Sequence, residues 1–190
     1  TNLIGTRNVA DASRKCHAIA MIQVSTDKAV NPIGVMGATK RLGELYCQAL
    51  DIENCGESGA TRFFTVRFGN VLGSSGSVVP LFQRQLRDRL PLTVTHPDMT
   101  RFFMTIHEAV GLVLQTANAA LSRNPRCGRI FVLDMGEPIK VVDIAHRMIK
   151  LSGLEPGVDA KVKFIGTRPG EKLFEQLFDK SERRRQSEIA

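Results

Sequence analysis

The sequence predicts an α/β protein: the downstream part of a doubly wound parallel sheet, plus a small α/β substrate-binding lobe. Three observations lead to this fold class. Short, nearly continuous apolar runs occur at 18–24 and 61–68, as in strands that are buried on both faces. A segment with helical spacing of apolar residues follows each run. Strands that alternate with helices favour a parallel sheet with crossover connections.

The first predicted domain, residues 1–89, carries this alternation. The expected helices and strands alternate, beginning with a helix, at 2–15, 18–24, 35–50, 61–68 and 78–89. Ser77 is expected to cap the last helix, because a serine hydroxyl can accept an amide N–H there. On the helix at 35–50, the residues with core spacing are Leu42, Leu45, Tyr46 and Ala49.

The second predicted domain, residues 90–190, has shorter elements and is expected to form mainly a smaller α/β lobe, to which the family resemblance described below assigns sugar-nucleotide binding. Its strands are predicted at 92–95, 129–133 and 162–165, and its helices at 107–121, 141–151 and 172–178.

Composition limits the classes of function. The chain has 43% hydrophobic and 24% charged residues, as an ordinary globular protein does. No apolar run approaches the roughly 20 residues that a membrane-spanning helix needs. The net charge of +7 could attract nucleic acid, but the basic residues are dispersed, and one tyrosine and no tryptophan are available to stack bases. We therefore expect an anionic small molecule rather than nucleic acid.

The cysteines and histidines give no sign of a metal site. Cys16, Cys47, Cys55 and Cys127 are scattered without a C-x-x-C pair, and no histidine has ligand spacing beside them. We expect a reduced compartment and no structural metal.

Polar residues directly after the first apolar strand are the leading site candidates. Ligands of open parallel sheets bind beyond the carboxyl ends of the strands, and Ser25, Thr26, Asp27 and Lys28 occupy that position. A solvated strand-to-loop turn is the alternative interpretation. On the following helix, Met36 and Lys40 lie opposite the expected core stripe and towards the strand end, so a cofactor-facing side competes with a solvated lysine.

The segment 69–76 is glycine-rich but does not match a dinucleotide fingerprint. Gly69, Gly73 and Gly76 fit neither common spacing, and no acidic residue ends a strand about 20 positions later. Asn70 could still help to hold an anion, with a plain connection between sheet and lobe as the alternative.

Two arginines in short polar breaks are candidate phosphate ligands. Arg101 and Arg168 could each present a fork of N–H donors to a diphosphate, although a single arginine is more often in a surface ion pair. Glu171, after a Pro-Gly turn, is a further candidate, or alternatively an acid that balances a helix dipole.

Five segments together identify a resemblance to a known family. They are VSTDKAVNP at 24–32, VMGATKR at 35–41, RFGNVLG at 67–73, MTRFFMT at 99–105 and RPGEKL at 168–173. In this order they resemble the CapD-type polysaccharide biosynthesis proteins, which are UDP-N-acetylglucosamine 4,6-dehydratases of the extended short-chain dehydrogenase/reductases. The resemblance implies a Rossmann-type sheet and NAD or NADP as cofactor.

The resemblance also implies that this chain is a downstream fragment. The glycine loop for the dinucleotide and the acidic residue after the second strand would lie upstream of Thr1, so the 190-residue chain alone is expected to be inactive. The family's usual Tyr-x-x-x-Lys has Met36 at the tyrosine position. A thioether has no titratable proton, so Met36 is not the base at the C4 hydroxyl. Long CapD-type members are similar in having methionine there.

The implied reaction assigns a role to each candidate. Lys28 is the expected base at sugar C5, and Asp27 the acid at the departing C6 hydroxyl. Thr26 would bind the C4 oxygen, while Lys40, with Ser25 beside it, would hold the cofactor. The UDP part would be bound by Asn70, Arg101, Arg168 and Glu171.

Two other functions remain open at this stage. A sugar-nucleotide 4-epimerase shares the fold and cofactor, but it normally uses the tyrosine that is absent here. A non-catalytic subunit that binds NAD(P) or a nucleotide sugar is favoured by that absence and disfavoured by Asp27, Lys28 and Lys40. The resemblance further implies a homo-oligomer with a UDP-sugar substrate. It places the protein in the cytoplasm, either free or as the cytoplasmic domain of an inner-membrane protein.

Overall fold

A computed structural model describes residues 2–74, 76–122 and 127–186. Its helices are α1 (Asn2–Lys15), α2 (Val35–Glu53), α3 (Val78–Arg87), α4 (Ile106–Ser122) and α5 (Val141–Leu151). Its strands are β1 (Ala20–Thr26), β2 (Arg62–Phe68), β3 (Asn70–Val71), β4 (Leu92–Val94), β5 (Thr100–Arg101), β6 (Phe103–Met104), β7 (Ile130–Val132), β8 (Ile139–Lys140) and β9 (Val162–Phe164). The predicted α/β class is confirmed.

The chain divides into two compact units that interleave along the sequence. The first unit comprises Thr1–Phe68, Glu108–Asp134 and Gln176–Ala190, and the second comprises Gly69–His107 and Met135–Glu175. This division differs from the two consecutive domains that the sequence predicts. The chain returns to the first unit through α4 and β7, because β7 completes the edge of its sheet.

The first unit contains a parallel sheet in the order β1-β2-β7. Val24 is paired with Val66, and Arg67 with Val132, so the carboxyl ends of the strands lie together. Helices α1 and α2 pack on one another and on β1 and β2. One cluster of the core is formed by Ala10, Cys47, Leu50 and Phe63.

Helix α2 packs through a different face from the one predicted. Its buried residues are Gly37, Gly43, Glu44, Cys47, Leu50 and Asp51. By contrast, Leu42 and Leu45 of the expected core stripe are 48% and 44% exposed. The prediction was wrong because it counted apolar residues only. Two buried carboxylates, paired with arginines of β2, fix the face that meets the sheet.

The second unit has its own core around α3 and α5. Its buried residues include Phe82, Leu92, Val94, Ala145 and Ile149. Short pairs of strands, β3-β6, β4-β9 and β5-β8, complete the unit. Ser77 stands at the N-cap of α3 as predicted, but its side chain makes no capping hydrogen bond.

The helix predicted at 172–178 is absent. The guanidinium of Arg101 donates to the carbonyl oxygens of Lys172 and Leu173, and the amide of Thr100 also donates to Leu173. These contacts take carbonyl groups that a helix would need for its own hydrogen bonds. The segment is therefore held in an irregular conformation.

Two of the four cysteines form a disulfide. Cys55 and Cys127 are joined with their Cα atoms 5.8 Å apart. This pairing is at odds with the reduced compartment expected from the scattered cysteines. Spacing along the chain could not reveal it, because 72 residues separate the partners. Cys47 is buried, and burial raises the pKa of its thiol to about 11, whereas Cys16 is exposed.

Candidate functional site

The carboxyl end of β1 forms a tight polar turn. Strand β1 ends at Thr26, and a 3-10 turn at Asp27–Ala29 follows it directly. The Thr26 hydroxyl accepts from the amide of Lys28 at 3.4 Å and donates to Asp27 Oδ1 at 2.8 Å. Lys28 Nζ lies 2.8 Å from the same oxygen. The structure therefore brings together Thr26, Asp27 and Lys28, as the sequence predicts.

Asp27 carries a buried oxygen that has no hydrogen-bond partner. The residue is fully buried, and among the described residues nothing donates to Oδ2. Burying a carboxylate oxygen without a donor is costly, and most buried polar atoms are satisfied. Such an atom beside a partly exposed lysine, at the carboxyl end of a parallel strand, is placed for chemistry with a ligand.

Helix α2 approaches this turn unusually closely. A Cβ atom at Gly37 would lie 2.2 Å from the carbonyl oxygen of Lys28, so only glycine fits there without movement. Sequence analysis missed this residue, although a glycine in the first turn of a helix is a signal of close packing.

Lys40 lies one turn along α2 from Met36 and reaches the end of β1. Its Nζ donates to the carbonyl oxygen of Val24 at 3.1 Å, which confirms that this helix position faces the strand end. Met36 is half exposed. Its thioether supplies no proton to the site.

Ser25 is bound to helix α2. Its side chain is 3% exposed, and its hydroxyl donates to Glu44 Oε1 at 2.6 Å. This contact gives Ser25 a structural partner, and its contact with the cofactor stays a prediction. Successive side chains of a strand point to opposite faces, so Ser25 and Thr26 cannot both face the same side.

Glu44 and Arg67 form a buried ion pair that sequence analysis also missed. Both side chains are fully buried, and Arg67 donates to both carboxylate oxygens of Glu44, at 3.0 and 2.8 Å. Burial lowers the pKa of Arg67, but its bonds to Glu44 and Glu182 outweigh burial and raise it. An arginine within an apolar strand was the available signal, because a buried cation requires a buried anion nearby.

In the second unit, the guanidinium of Arg101 is bound to backbone carbonyl groups of the chain. Arg101 is 6% exposed, and its guanidinium donates to the carbonyl oxygens of Thr100, Lys172 and Leu173. Its NH2 also lies 3.6 Å from Glu171 Oε1. These contacts engage NH1 and NH2 of Arg101 with protein acceptors, and its assignment as a diphosphate ligand stays a prediction.

The other candidates of the second unit are arranged differently. Arg168 is exposed, and its backbone amide donates to Glu171 Oε2 at 3.1 Å across the Pro-Gly turn. Asn70 lies in β3, where its backbone amide donates to the carbonyl of Phe102. The structure thus brings Arg101, Arg168 and Glu171 together through the 168–173 segment.

The whole chain, residues 1–190, matches the family described as polysaccharide biosynthesis proteins. The chain belongs to this family. One relative is the capsular polysaccharide biosynthesis protein CapD of Staphylococcus aureus, which is 51% identical over 181 residues. That match covers 95% of this chain and 28% of CapD, so the chain spans less than a third of this relative's length.

Solved structures agree with the fold of this chain. Pen from Bacillus thuringiensis is 34% identical and superposes with a TM-score of 0.81, over 93% of this chain and 52% of Pen. UDP-glucuronic acid 4-epimerase from Bacillus cereus, in complex with UDP-glucuronic acid and NAD, has a TM-score of 0.69 at 21% identity. That match covers 93% of this chain and 59% of the epimerase. The Rossmann-type fold is confirmed.

The described part of the chain contains neither a membrane-spanning helix nor a cluster of metal ligands. None of the helices there is long and apolar enough to cross a bilayer. No group of three or more potential metal ligands occurs among those residues either.

Proposed function

We propose that this chain is the catalytic part of a nucleotide-sugar 4,6-dehydratase, which converts UDP-N-acetylglucosamine to a UDP-4-keto-6-deoxy-N-acetylhexosamine. The observation that carries the proposal is the buried, unpartnered Oδ2 of Asp27 beside the Lys28 ammonium. Elimination of water requires an acid and a base at one place. These two side chains supply both within 2.8 Å.

The proton balance of the elimination fits this pair. Before the step, the single proton that the two groups share resides on Asp27, and Lys28 is neutral. Lys28 takes the proton from C5 of the 4-keto sugar, and Asp27 gives its proton to the C6 hydroxyl. The C6–O bond breaks, water leaves and a C5–C6 double bond forms. The pair ends as ammonium and carboxylate, which is the ion pair in the structure.

The product forms when C6 receives the hydride removed from C4 and Lys28 returns its proton to C5. The proton that the C4 hydroxyl loses as the hydride leaves passes to the Asp27–Lys28 pair and replaces the proton that departs with water. Thr26 lies one residue before Asp27 and two before Lys28, and its hydroxyl, which donates to Asp27 Oδ1 in the free chain, is assigned to the C4 oxygen when substrate is bound. A nicotinamide dinucleotide, NAD or NADP, supplies the reversible hydride acceptance when bound. A donor placed where charge develops stabilises the transition state electrostatically.

Lys40 fits a nicotinamide ribose. One N–H of its ammonium is directed to Val24, which leaves two for ribose hydroxyls. In the second unit, our candidates for the UDP part remain Asn70, Arg101, Arg168 and Glu171.

An epimerase is the second candidate, because a UDP-sugar 4-epimerase is among the solved structures with this fold. It would need a base at the C4 hydroxyl and no elimination. Met36 occupies the usual position of that base, and the Asp27–Lys28 pair would have no role. Both the methionine at the position of the base and the Asp27–Lys28 pair therefore favour the dehydratase.

The test uses a longer protein, in which the dinucleotide-binding half of a Rossmann-type domain precedes this chain. We call it the upstream-extended protein. It is given NAD and UDP-N-acetylglucosamine that carries deuterium at C4. We expect a 4-keto product that has lost one water, with the deuterium recovered at C6 by mass spectrometry and NMR. Deuterium that remains at C4 in a C4-epimerised sugar would establish the epimerase instead.

Variants then test the two assigned side chains. Asp27→Asn and Lys28→Ala are each expected to lower turnover by about 10²- to 10⁴-fold, the usual effect of removing a general acid or base. Asp143→Asn and Lys15→Ala make the same chemical changes at exposed positions and serve as controls. Tight substrate binding without turnover in the parent protein would refute the dehydratase.

A further inference from the structure

Arg67 uses every donor of its guanidinium on protein acceptors. Nε and NH2 donate to Glu44, at 3.0 and 2.8 Å. The other side of the guanidinium meets the C-terminal segment 176–182. NH1 donates to the carbonyl of Leu177 at 3.0 Å and to Glu182 at 2.9 Å, and NH2 donates to Glu182 at 2.9 Å. An arginine in β2 is therefore fixed from both sides.

Glu44 transmits this arrangement to the strand end. Its Oε1 accepts from the hydroxyl of Ser25, the residue directly before Thr26. One turn earlier on α2, Lys40 donates to the carbonyl of Val24. Two successive turns of α2 are thus tied to two successive residues of β1. These ties set the position of Lys40 relative to the Thr26–Asp27–Lys28 turn.

The charges around Arg67 balance only when Glu182 is included. Glu44 and Glu182 carry two negative charges, while Arg41 and Arg67 carry two positive charges, and the four are linked at distances of 2.8 to 3.2 Å. Loss of one partner leaves a buried charge uncompensated, which drives rearrangement of the remaining groups. Partial burial raises the pKa of Glu182, but Arg67 and the Asp179 amide outweigh this and lower it, so Glu182 is ionised at neutral pH.

We propose that Glu182 is a positioning residue, which holds the catalytic turn and Lys40 in register through Arg67, Glu44 and Ser25. This proposal rests on the proposed function for the meaning of the turn. It assigns to the C-terminal segment a role in catalysis although the segment carries none of the reacting groups.

The test compares Glu182→Gln with the parent in the upstream-extended protein. Glutamine keeps the size of the side chain and removes its charge. Since misplacement of catalytic groups by about 1 Å can cost on the order of 10²-fold, we expect kcat to fall by about 10-fold or more. KM should change by less than about 3-fold, because the groups assigned to UDP lie in the second unit. Glu57→Gln, the same change at an exposed site, is the control.

Hydrogen exchange followed by mass spectrometry provides a readout that does not depend on activity. In Glu182→Gln, amides of 24–30 should exchange faster than in the parent, while those of α5 should not change. Restoration of slow exchange and of part of kcat by Glu182→Asp supports the proposal, because the carboxylate is the feature that matters.

Unchanged exchange at 24–30 in Glu182→Gln overturns the positioning role, whether or not the protein turns over substrate. Faster exchange limited to 176–182, with kcat equal to that of Glu57→Gln, also overturns it. An inactive parent refutes the proposed function alone, since exchange still decides the coupling.

Discussion

Glu44 and Asp27 are both fully buried carboxylates near the carboxyl end of β1, but their surroundings differ. Glu44 accepts from Ser25, Arg41 and Arg67, so both of its oxygens are occupied. Asp27 has one oxygen bound by Thr26 and Lys28 and the other without a partner. The first arrangement holds elements together, and the second leaves an oxygen for a ligand. Burial alone therefore does not separate a structural from a functional carboxylate; the state of its acceptors does.

The largest expected effect is a difference in the free energy of unfolding between variants of these two carboxylates. Glu44→Gln should lower the free energy of unfolding by about 3–5 kcal/mol, because it breaks a fully buried ion pair and removes one of the two carboxylates that balance Arg67. Asp27→Asn should change it by less than about 1 kcal/mol, since the lost ion pair is offset by removing the charge of a fully buried carboxylate. Denaturant unfolding of the chain measures both.

The two variants must differ for the comparison to stand. A loss of stability in Asp27→Asn as large as that in Glu44→Gln would show that Asp27 is mainly structural. The proposed acid would then need another residue.

A smaller effect is expected where α2 meets the Asp27 turn. Gly37→Ala places a methyl group against the carbonyl of Lys28, so the backbone must shift. Overpacking of this kind costs about 1–3 kcal/mol, and we expect turnover to fall as well, because the turn moves. Gly5→Ala in α1, with no atom within 4 Å, is the matched control. It should stabilise the chain by about 0.4–1 kcal/mol.

Both glycine variants are compared by chemical unfolding and by the dehydratase assay. If Gly37→Ala unfolds and turns over substrate as the parent does, the close approach of α2 is not what places the turn.

The smallest expected effect is a change of stability with pH that comes from a third buried carboxylate, Asp51, which resembles Glu44 in having its acceptors filled. Burial raises its pKa, but hydrogen bonds from Arg62 and from the amides of Phe63 and Gly128 outweigh burial and lower it below 3.8. Its ionised form therefore stabilises the fold fully at neutral pH, and this contribution is lost as pH falls below 3.8.

Unfolding of the chain and of Asp51→Asn is measured from pH 7 to pH 3. The difference between them should be constant near neutrality and shrink in acid. Asp88→Asn, which removes an exposed pair with Arg87, should change stability by less than about 1 kcal/mol at any pH. A difference for Asp51→Asn that grows in acid would contradict the assigned ionisation.

Much of the first unit could be predicted from residue patterns. The strands near 18–24 and 61–68, the helix between them and the position of Thr26, Asp27 and Lys28 at a strand end all follow from local sequence. Lys40 was also placed correctly, because a helical period relates it to Met36. Local patterns work here because continuous apolar runs mark the strands and helical spacing of apolar residues marks the helices.

Other features depend on partners far along the chain. The inward face of α2 was mispredicted, because it is chosen by Glu44 and Asp51 meeting arginines of β2. The helix expected at 172–178 is replaced by a segment held by Arg101. Ser25 faces Glu44, although its neighbours made it a cofactor candidate.

The sequence by itself determined the α/β class, the family and the residues at the end of β1, since these depend on composition, period and order along the chain. Only the tertiary structure decided which buried carboxylate is satisfied and which is not, and that Glu182 completes the cluster around Arg67. Hydrogen bonds and ion pairs depend on distances of about 3 Å between side chains, and residues 115 positions apart meet at that range only after folding.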